Sequence, residues 1–422
     1  ANCTISEKRE TNDADKQVIE ELANIGIEVE MGGHNPDTIL NSYLVITSPG
    51  IPPRSEVFKL IKDNKIQVIS EIELAYLETT RPFIAITGTN GKTTTTKLVS
   101  ELLEYAGYKA PACGNIGTPP TSLLNEEVDY FVTEVSSYQI ATSNVFKPQI
   151  ACFINYTPDH IDWHGSEEEY FKAKASLSSG SKAPAWAVLN ADDPKIRNLA
   201  SEINAEIYYF GKYIGKKAVY IENDAIMFKN GDEVEEIIKL DEINLFGDHN
   251  YQNIMAAVAI VKIVGIETQQ IRDVLKTFKS PEHRIEYVDT IDGIKFYNDS
   301  KATNCDSTIC ALKAFGEEKI VLIAGGRDKG TSLDEFSEEV KKHAAAVVLI
   351  GEAAERFNDA LVNAGYTSIY RAETFESAID IAADLKLGPV VLSPACASFD
   401  MFKNFEERGQ AFKDYVYKKK QN

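Results

Sequence analysis

Residues 84–96 read Ile-Ala-Ile-Thr-Gly-Thr-Asn-Gly-Lys-Thr-Thr-Thr-Thr. An apolar run stops at Gly88 and delivers Gly91, Lys92 and Thr93 to the start of a helical pattern. This is the signature of a phosphate site. Unpaired backbone N–H groups and the positive end of a helix dipole favour an anion, Lys92 can reach terminal phosphates, and Thr93 can present a hydroxyl to Mg²⁺. The common eight-residue pattern asks for glycine at position 86, where this chain has Ile86, and its first glycine is Gly88. The loop is therefore a shortened variant.

Outward from this loop, the next helix should carry Leu98, Val99, Leu102, Leu103 and Ala106 on one face and stop at Gly107. Strands are expected at 128–135, at 150–154 and, in shorter pieces, between 185 and 228, with a hairpin signal at Asn230-Gly231 and a helix over 251–264. From 285 onward a hairpin around Asp292-Gly293 precedes alternating strands (319–324, 346–350, 390–393) and helices (334–343, 353–364, 375–385), a doubly wound α/β pattern. Before the loop, a helical pattern around Lys16 and apolar runs at 43–47 and 67–70 suggest a small α/β unit. No buried strand with a Gly-rich turn is legible before Asp15. The expected fold is α/β in three domains: an incomplete Rossmann-like unit (1–78), a central P-loop domain with a parallel sheet (79–280) and a C-terminal Rossmann-like domain (281–422).

With 422 residues the chain is too long for one core. A net charge of −20 opposes nucleic acid and anionic membranes over the surface as a whole, so phosphate ligands must be held by local sites. No apolar stretch is long enough to cross a bilayer. The six cysteines lack zinc or redox spacing and fit reduced thiols; the polar opening Ala1-Asn2-Cys3 does not read as a signal peptide.

Several constellations carry chemistry. Glu134 ends a strand about forty residues after Lys92, where an acid can hold Mg²⁺ against phosphates. Asp159-His160-Ile161-Asp162-Trp163-His164 places imidazoles and carboxylates in one loop, which favours a metal or substrate site. Ser166 and Glu169 spell a capping box for a helix carrying Tyr170 and Lys174 on one face. By sequence alone Lys174 reads as a surface lysine. Asn250 and Asn253 share a face at a helix start and could either read an adenine edge or cap the helix. Three polar loops, 298–304, 325–330 and 393–398, each follow a strand of the last sheet, where ligands bind in such folds. Gly325-Gly326 lacks the rest of a dinucleotide fingerprint, so NAD is not inferred.

Taken in order, these segments resemble the Mur ligases from about Ser48 to Gly409. The stretch Leu392-Ser-Pro-Ala-Cys-Ala-Ser-Phe-Asp-Met-Phe-Lys-Asn-Phe-Glu-Glu-Arg-Gly409 resembles the D-glutamate-adding branch. The Asp-Asn-Pro-Arg motif of the diaminopimelate-adding branch is not found. The resemblance implies amide formation between UDP-N-acetylmuramoyl-L-alanine and D-glutamate, driven by ATP with Mg²⁺, two ions being expected. Gly88, Thr89, Asn90, Gly91, Lys92, Thr93 and Thr94 would engage ATP together with Asn250, Asn253, Arg284, Asp299 and Lys301. Thr93, Glu134, His160 and Lys174 would serve the metals, Lys174 as a carbamate, which replaces the surface reading. Lys92, Glu134, His160 and Lys174 are the implied catalytic residues. Thr303, Lys329, Ser398 and Phe405 would hold D-glutamate, and Ser48, Gly50, Asn115 and His160 the muramoyl substrate. The family's first strand and Gly-rich turn are not recognised here, so uridine binding is the weakest expectation. A cytoplasmic monomer, bound to neither nucleic acid nor membrane, completes the reading.

The expected mechanism is carboxylate attack on the γ-phosphate, then displacement of phosphate by the amine of D-glutamate, with closure of the second and third domains around the nucleotide. Three rivals remain at this stage: a folylpolyglutamate-type ligase, a P-loop small-molecule kinase, and a nucleotide-binding module without turnover.

Overall fold

Five consecutive buried residues, Phe83–Thr87, form the strand that leads into the phosphate loop. A strand with no exposed face belongs in the middle of a parallel sheet covered on both sides, and it is found there. The computed structural model describes residues 2–179, 183–212, 215–243, 245, 247–279, 282–328 and 330–421. The chain divides into two units, one of residues 1–92 with 103–209, the other of 93–102 with 210–422.

In the first unit the sheet order is Glu206–Phe210, Trp186–Asn190, Ile150–Phe153, Phe83–Thr87, Phe131–Glu134, Ala112–Gly114. Phe83–Thr87 pairs in parallel with Ile150–Phe153 on one side and Phe131–Glu134 on the other. The chain runs from Phe83–Thr87 to the Ala112–Gly114 edge, returns, and then crosses to the opposite side. The order therefore reverses at the phosphate loop, the topological switch point where ligands bind in open α/β sheets. Phe83 and Phe131 stack at 4.6 Å beneath it.

The front of this unit holds a short strand that the sequence reading did not mark, Cys3–Ser6, parallel to Ile27–Glu30; it is half-exposed and no glycine follows it before the helix Asp13–Asn24. It was illegible because four residues of alternating exposure give no apolar run. After the second strand, the Gly32 and Gly33 N–H groups donate to the Arg9 and Glu7 carbonyls. Leu44–Thr47 and Gln67–Ser70 form a separate parallel pair close to the runs read from sequence.

In the second unit, Lys217–Glu222, Ala225–Asn230 and Glu233–Lys239 make an antiparallel meander. The Asn230-Gly231 hairpin signal is met by Ala225–Asn230 paired with Glu233–Lys239, while the helix Thr268–Thr277 was not expected. The last sheet has six strands in the order Glu286–Ile291, Ile294–Asn298, Val390–Leu392, Ile320–Gly325, Ala344–Ile350, Ile369–Arg371. Only the first pair is antiparallel. Period-two alternation sorts its side chains between two cores. Leu322, Ala324, Val347 and Leu349 pack with Ile309, Phe336 and Phe357 on one face. Val321, Ile323, Val348 and Ile350 pack with Ile379 and Phe412 on the other. Each polar loop named above leaves the C-terminal end of one of these strands. Among the described residues no helix is long and apolar enough to cross a membrane.

Candidate functional site

The phosphate loop turns where the sequence asks it to. Gly91 adopts φ 79°, a left-handed conformation, just before the helix Lys92–Tyr105 begins. Its backbone is not open, however. Asn155, following the neighbouring strand Ile150–Phe153, accepts from Thr89 N at 3.0 Å and Asn90 N at 2.9 Å through Oδ1. Its Nδ2 donates to the Asn90 carbonyl at 3.1 Å. The expectation of unpaired N–H groups is thus corrected at Thr89 and Asn90. A strand-end amide satisfies both, because buried backbone groups rarely remain unpaired. Asn155 was missed; its position at the end of the strand beside the loop strand was the available signal. Lys92 Nζ folds back onto the Gly88 and Thr89 carbonyls at 3.0 and 2.8 Å.

Lys174 is the second correction to the plain sequence reading. It lies in the helix Glu167–Ala175 and is 2 % exposed. Its Nζ donates to the Gly88 carbonyl at 2.7 Å and sits 4.8 Å from the Tyr170 ring centroid, one helical turn back. Burial, with Lys92 nearby, pushes its pKa well below the ordinary lysine value. An amine held neutral is the nucleophilic form that carbon dioxide requires. Tyr170 shares a 3.1 Å hydrogen bond with Thr89 Oγ1, tying the helix to the loop a second time. The helix start is half the expected box. Ser166 Oγ accepts from Glu169 N at 3.2 Å, while the Glu169 carboxylate faces Lys172.

Glu134 ends the strand Phe131–Glu134 and is 3 % exposed. Asn115 Nδ2 donates to Glu134 Oε1 at 2.8 Å, and Asn115 N to the Glu134 carbonyl at 2.9 Å. This approach needs Gly114, whose φ is 88° and where a Cβ would overlap the Glu134 carbonyl oxygen. His160 has φ 55°; its N–H donates to Asp159 Oδ1 at 2.8 Å and its Nε2 lies 3.6 Å from Asp159 Oδ2. The side chain of Asp162 lies outside the described residues. His164 Nε2 and Ser137 Oγ share a 2.9 Å hydrogen bond. Ser48 and Gly50 are exposed in the turn after Leu44–Thr47, where Ile51 N donates to the Ser48 carbonyl.

In the second unit, Thr93 and Thr94 are buried in the first turns of their helix, and Lys301 Nζ donates to Thr93 Oγ1 at 2.9 Å. Lys301 also lies 5.1 Å from the Phe405 ring centroid, which brings a nucleotide candidate and an amino-acid candidate together. Asn253 Nδ2 donates to Asn250 Oδ1 at 3.4 Å. Neither caps the helix, which starts earlier, at Asp248, so the capping alternative is corrected. Asp299 is buried, with Oδ2 accepting from Ser393 Oγ at 2.7 Å and Oδ1 from Ile285 N at 3.2 Å. Burial raises its pKa to about 7 against the pull of Ser393 and of Arg284. His249, beside Asn250, is pushed down to about 4 by burial and by Arg284. Ser398 is buried at the Ala397 turn, Thr303 is half-buried, and Lys329 lies outside the described residues.

Arg408, read only as part of a motif, organises this region. It is 1 % exposed and donates to Ser300 Oγ, the Ser300 carbonyl and the Cys396 carbonyl at 2.9, 2.7 and 3.1 Å. Two of the three polar loops hang on its guanidinium. No sequence period marks such a residue, because its partners, backbone and hydroxyl oxygens of two other loops, are brought to it only by folding.

Among the described residues no three His, Cys, Asp or Glu side chains converge as a metal cage. A magnesium-type ion does not need one, since one or two carboxylates with water and phosphate oxygens suffice. The buried Glu134 carboxylate, together with an oxygen that a carbamate on the buried Lys174 would carry, would be a donor set of that kind.

Comparison with known proteins agrees with this architecture. Residues 86–261 match the Mur ligase middle domain and residues 283–396 the Mur ligase glutamate ligase domain. The UDP-N-acetylmuramoylalanine--D-glutamate ligase of Caldanaerobacter subterraneus subsp. tengcongensis is 40% identical over 98% of this chain and 92% of its own length. That of Thermoanaerobacter pseudethanolicus is 41% identical over 95% and 90%. Among solved structures, the MurF ligase of Thermotoga maritima in complex with ADP aligns with TM-score 0.63 at 18% identity, covering 90% of this chain and 99% of that one. At that identity the likeness speaks for the fold. With near-full-length relatives at this level of identity, the chain belongs to the Mur ligase family.

Proposed function

We propose that the protein joins UDP-N-acetylmuramoyl-L-alanine to D-glutamate through an amide bond at the expense of ATP, in the building of peptidoglycan precursors. The observation that carries the reading beyond a generic phosphate site is the buried Lys174 on the loop carbonyl, with Glu134 at the end of the adjacent strand. A carbamate formed on Lys174 would supply oxygen for a metal ion at that point. The near-full-length D-glutamate ligase relatives support the same substrates.

A carboxylate is a poor acyl donor because its leaving group would be oxide. The lactyl-alanine carboxylate oxygen therefore attacks the γ-phosphorus, ADP leaves, and an acyl phosphate results. The D-glutamate nitrogen, having lost a proton to solvent, then attacks the acyl carbon and inorganic phosphate departs. Lys92 offsets charge on the transferred phosphoryl group, and His160 orients the acyl end, each such preorganised contact being worth on the order of 10² to 10³ in rate. Thr93, Glu134, His160 and a carbamylated Lys174 would hold two Mg²⁺ ions, whose chemistry is to neutralise phosphate charge. Asn250, Asn253, Arg284, Asp299 and Lys301 serve the nucleotide, while Thr303, Lys329, Ser398 and Phe405 serve D-glutamate. Asn115, Ser48 and Gly50 serve the muramoyl substrate. The three domains are read as 1–78, 79–280 and 281–422, the last enclosing the six-stranded sheet. A monomer in the cytoplasm, where ATP is at hand, completes the proposal.

The deciding experiment is mass spectrometry of products formed from ATP, UDP-N-acetylmuramoyl-L-alanine and D-glutamate. The expected result is an amide product with ADP and free phosphate. A stable phosphorylated small molecule would favour a kinase. Turnover with a folate instead would favour a folylpolyglutamate-type ligase, and no ATP consumption would sink catalysis altogether.

A further inference from the structure

Asp328 and Thr331 are both held by a side chain that neither motif nor fold has accounted for. Arg356, near the start of the helix Ala354–Asn363, donates from Nη2 to Asp328 Oδ1 at 2.7 Å and from Nε to Asp328 Oδ2. Its Nη1 reaches the Thr331 carbonyl at 3.0 Å. A planar guanidinium matches a carboxylate fork, which makes such pairs both strong and directional. Asp334 and Asp359 line the same groove of about 590 Å³ as Arg356, yet these three donors go to Asp328 and Thr331.

The residues so fixed lie between two segments already singled out. At one end Arg327 N donates to the Ala397 carbonyl at 2.9 Å, immediately before Ser398. At the other, Thr331 Oγ1 and Cys305 Sγ are 3.8 Å apart, two residues past Thr303. Gly330 N donates to Asp328 Oδ1 at 2.9 Å, so Asp328 organises the turn that Arg356 grips. A second carboxylate beside a dicarboxylate ligand would repel it, and the Arg356 fork cancels that charge.

We infer that Arg356 is a positioning residue for the acceptor amino acid, fixing Asp328 and Thr331 near the segments that carry Thr303 and Ser398 and masking Asp328 so that an acidic amino acid is accepted. The inference rests on the reading of this pocket as the D-glutamate site.

The test is steady-state phosphate release by the full chain, with D-glutamate, ATP and UDP-N-acetylmuramoyl-L-alanine varied in turn. Arg356→Met should raise KM for D-glutamate on the order of tenfold to a hundredfold, with kcat and the other KM values little changed. The rise should shrink with added salt, since repulsion by the partly exposed Asp328 charge is screened. Adding Asp328→Asn to Arg356→Met should recover part of the loss, because the carboxylate that Arg356 had offset is then neutral. Arg356→Lys, which keeps charge without the fork, should fall between, and it carries the test if the Met variant does not fold. An unchanged KM for D-glutamate in either single variant overturns the inference, as does a uniform change in all constants or a double variant worse than the single. Wild-type protein without D-glutamate-dependent phosphate release would instead defeat the functional reading itself.

Discussion

The side-chain nitrogen of Lys174 lies 2.7 Å from the carbonyl oxygen of Gly88, so a buried helix residue is joined directly to the phosphate loop. Lys174→Ala should therefore lose activity by on the order of 10² to 10³, with part regained on adding a small carboxylate such as formate or acetate. Phosphate release with and without the additive measures it. Wild-type turnover by the alanine variant would remove the carbamate role.

Asp299 gives a pH dependence with a definite sign. Its folded-state pKa, about 7, lies above the ordinary value near 3.8. The folded protein therefore binds the extra proton between those values. Stability from this group is intact below about pH 3.8, declines as pH rises, and is fully lost above about pH 7. Asp299→Asn, which can keep a hydrogen bond to Ser393, should raise Tm at pH 8 relative to wild type and flatten the Tm profile between pH 4 and 7. Equal pH slopes for both proteins in thermal melts would contradict the assignment.

Gly114→Ala puts a Cβ onto the Glu134 carbonyl at a positive φ. A cost of roughly 1–3 kcal/mol is expected, visible in urea unfolding, together with weaker activity as Glu134 and Asn115 separate. The nearby Gly117, whose Cβ would meet nothing within 4 Å, serves as the control: Gly117→Ala should affect unfolding but leave the catalytic loss smaller.

Arg408→Met removes three hydrogen bonds from buried acceptors at once. The expected loss is about 3–5 kcal/mol, and the loops carrying Ser300 and Cys396 should exchange their amide hydrogens faster. Hydrogen exchange resolved by mass spectrometry would show this as local to 299–304 and 393–398. Unchanged protection in both would mean that the guanidinium is not their anchor.

What could be read from sequence follows from the range of the physics involved. The strand and glycine of the phosphate loop, the Asp334–His343 helix and the Asp292-Gly293 hairpin rest on periodicity and turn chemistry, which are local, and the structure contains them. The strand Cys3–Ser6 is local too, but four half-exposed residues carry too little pattern. Asn155, Arg408 and Arg356 were illegible for a different reason. Each earns its place by bonding to backbone or side-chain atoms distant in sequence, and nothing in its own neighbourhood announces it. Lys174 lies between these cases, since spacing gave its face and only packing revealed its burial.

The pairing of Asn155 with the loop has a thermodynamic corollary. Thr89 N, Asn90 N and Lys92 Nζ all have partners inside the protein. A nucleotide phosphate arriving there exchanges bonds and does not simply add them. Its affinity is then a difference between two well-bonded states, so weakening the incumbent should tighten binding: an Asn155 variant with a poorer acceptor should bind ATP more firmly than wild type in calorimetric titration, and weaker binding would show that Asn155 holds the loop in its binding form.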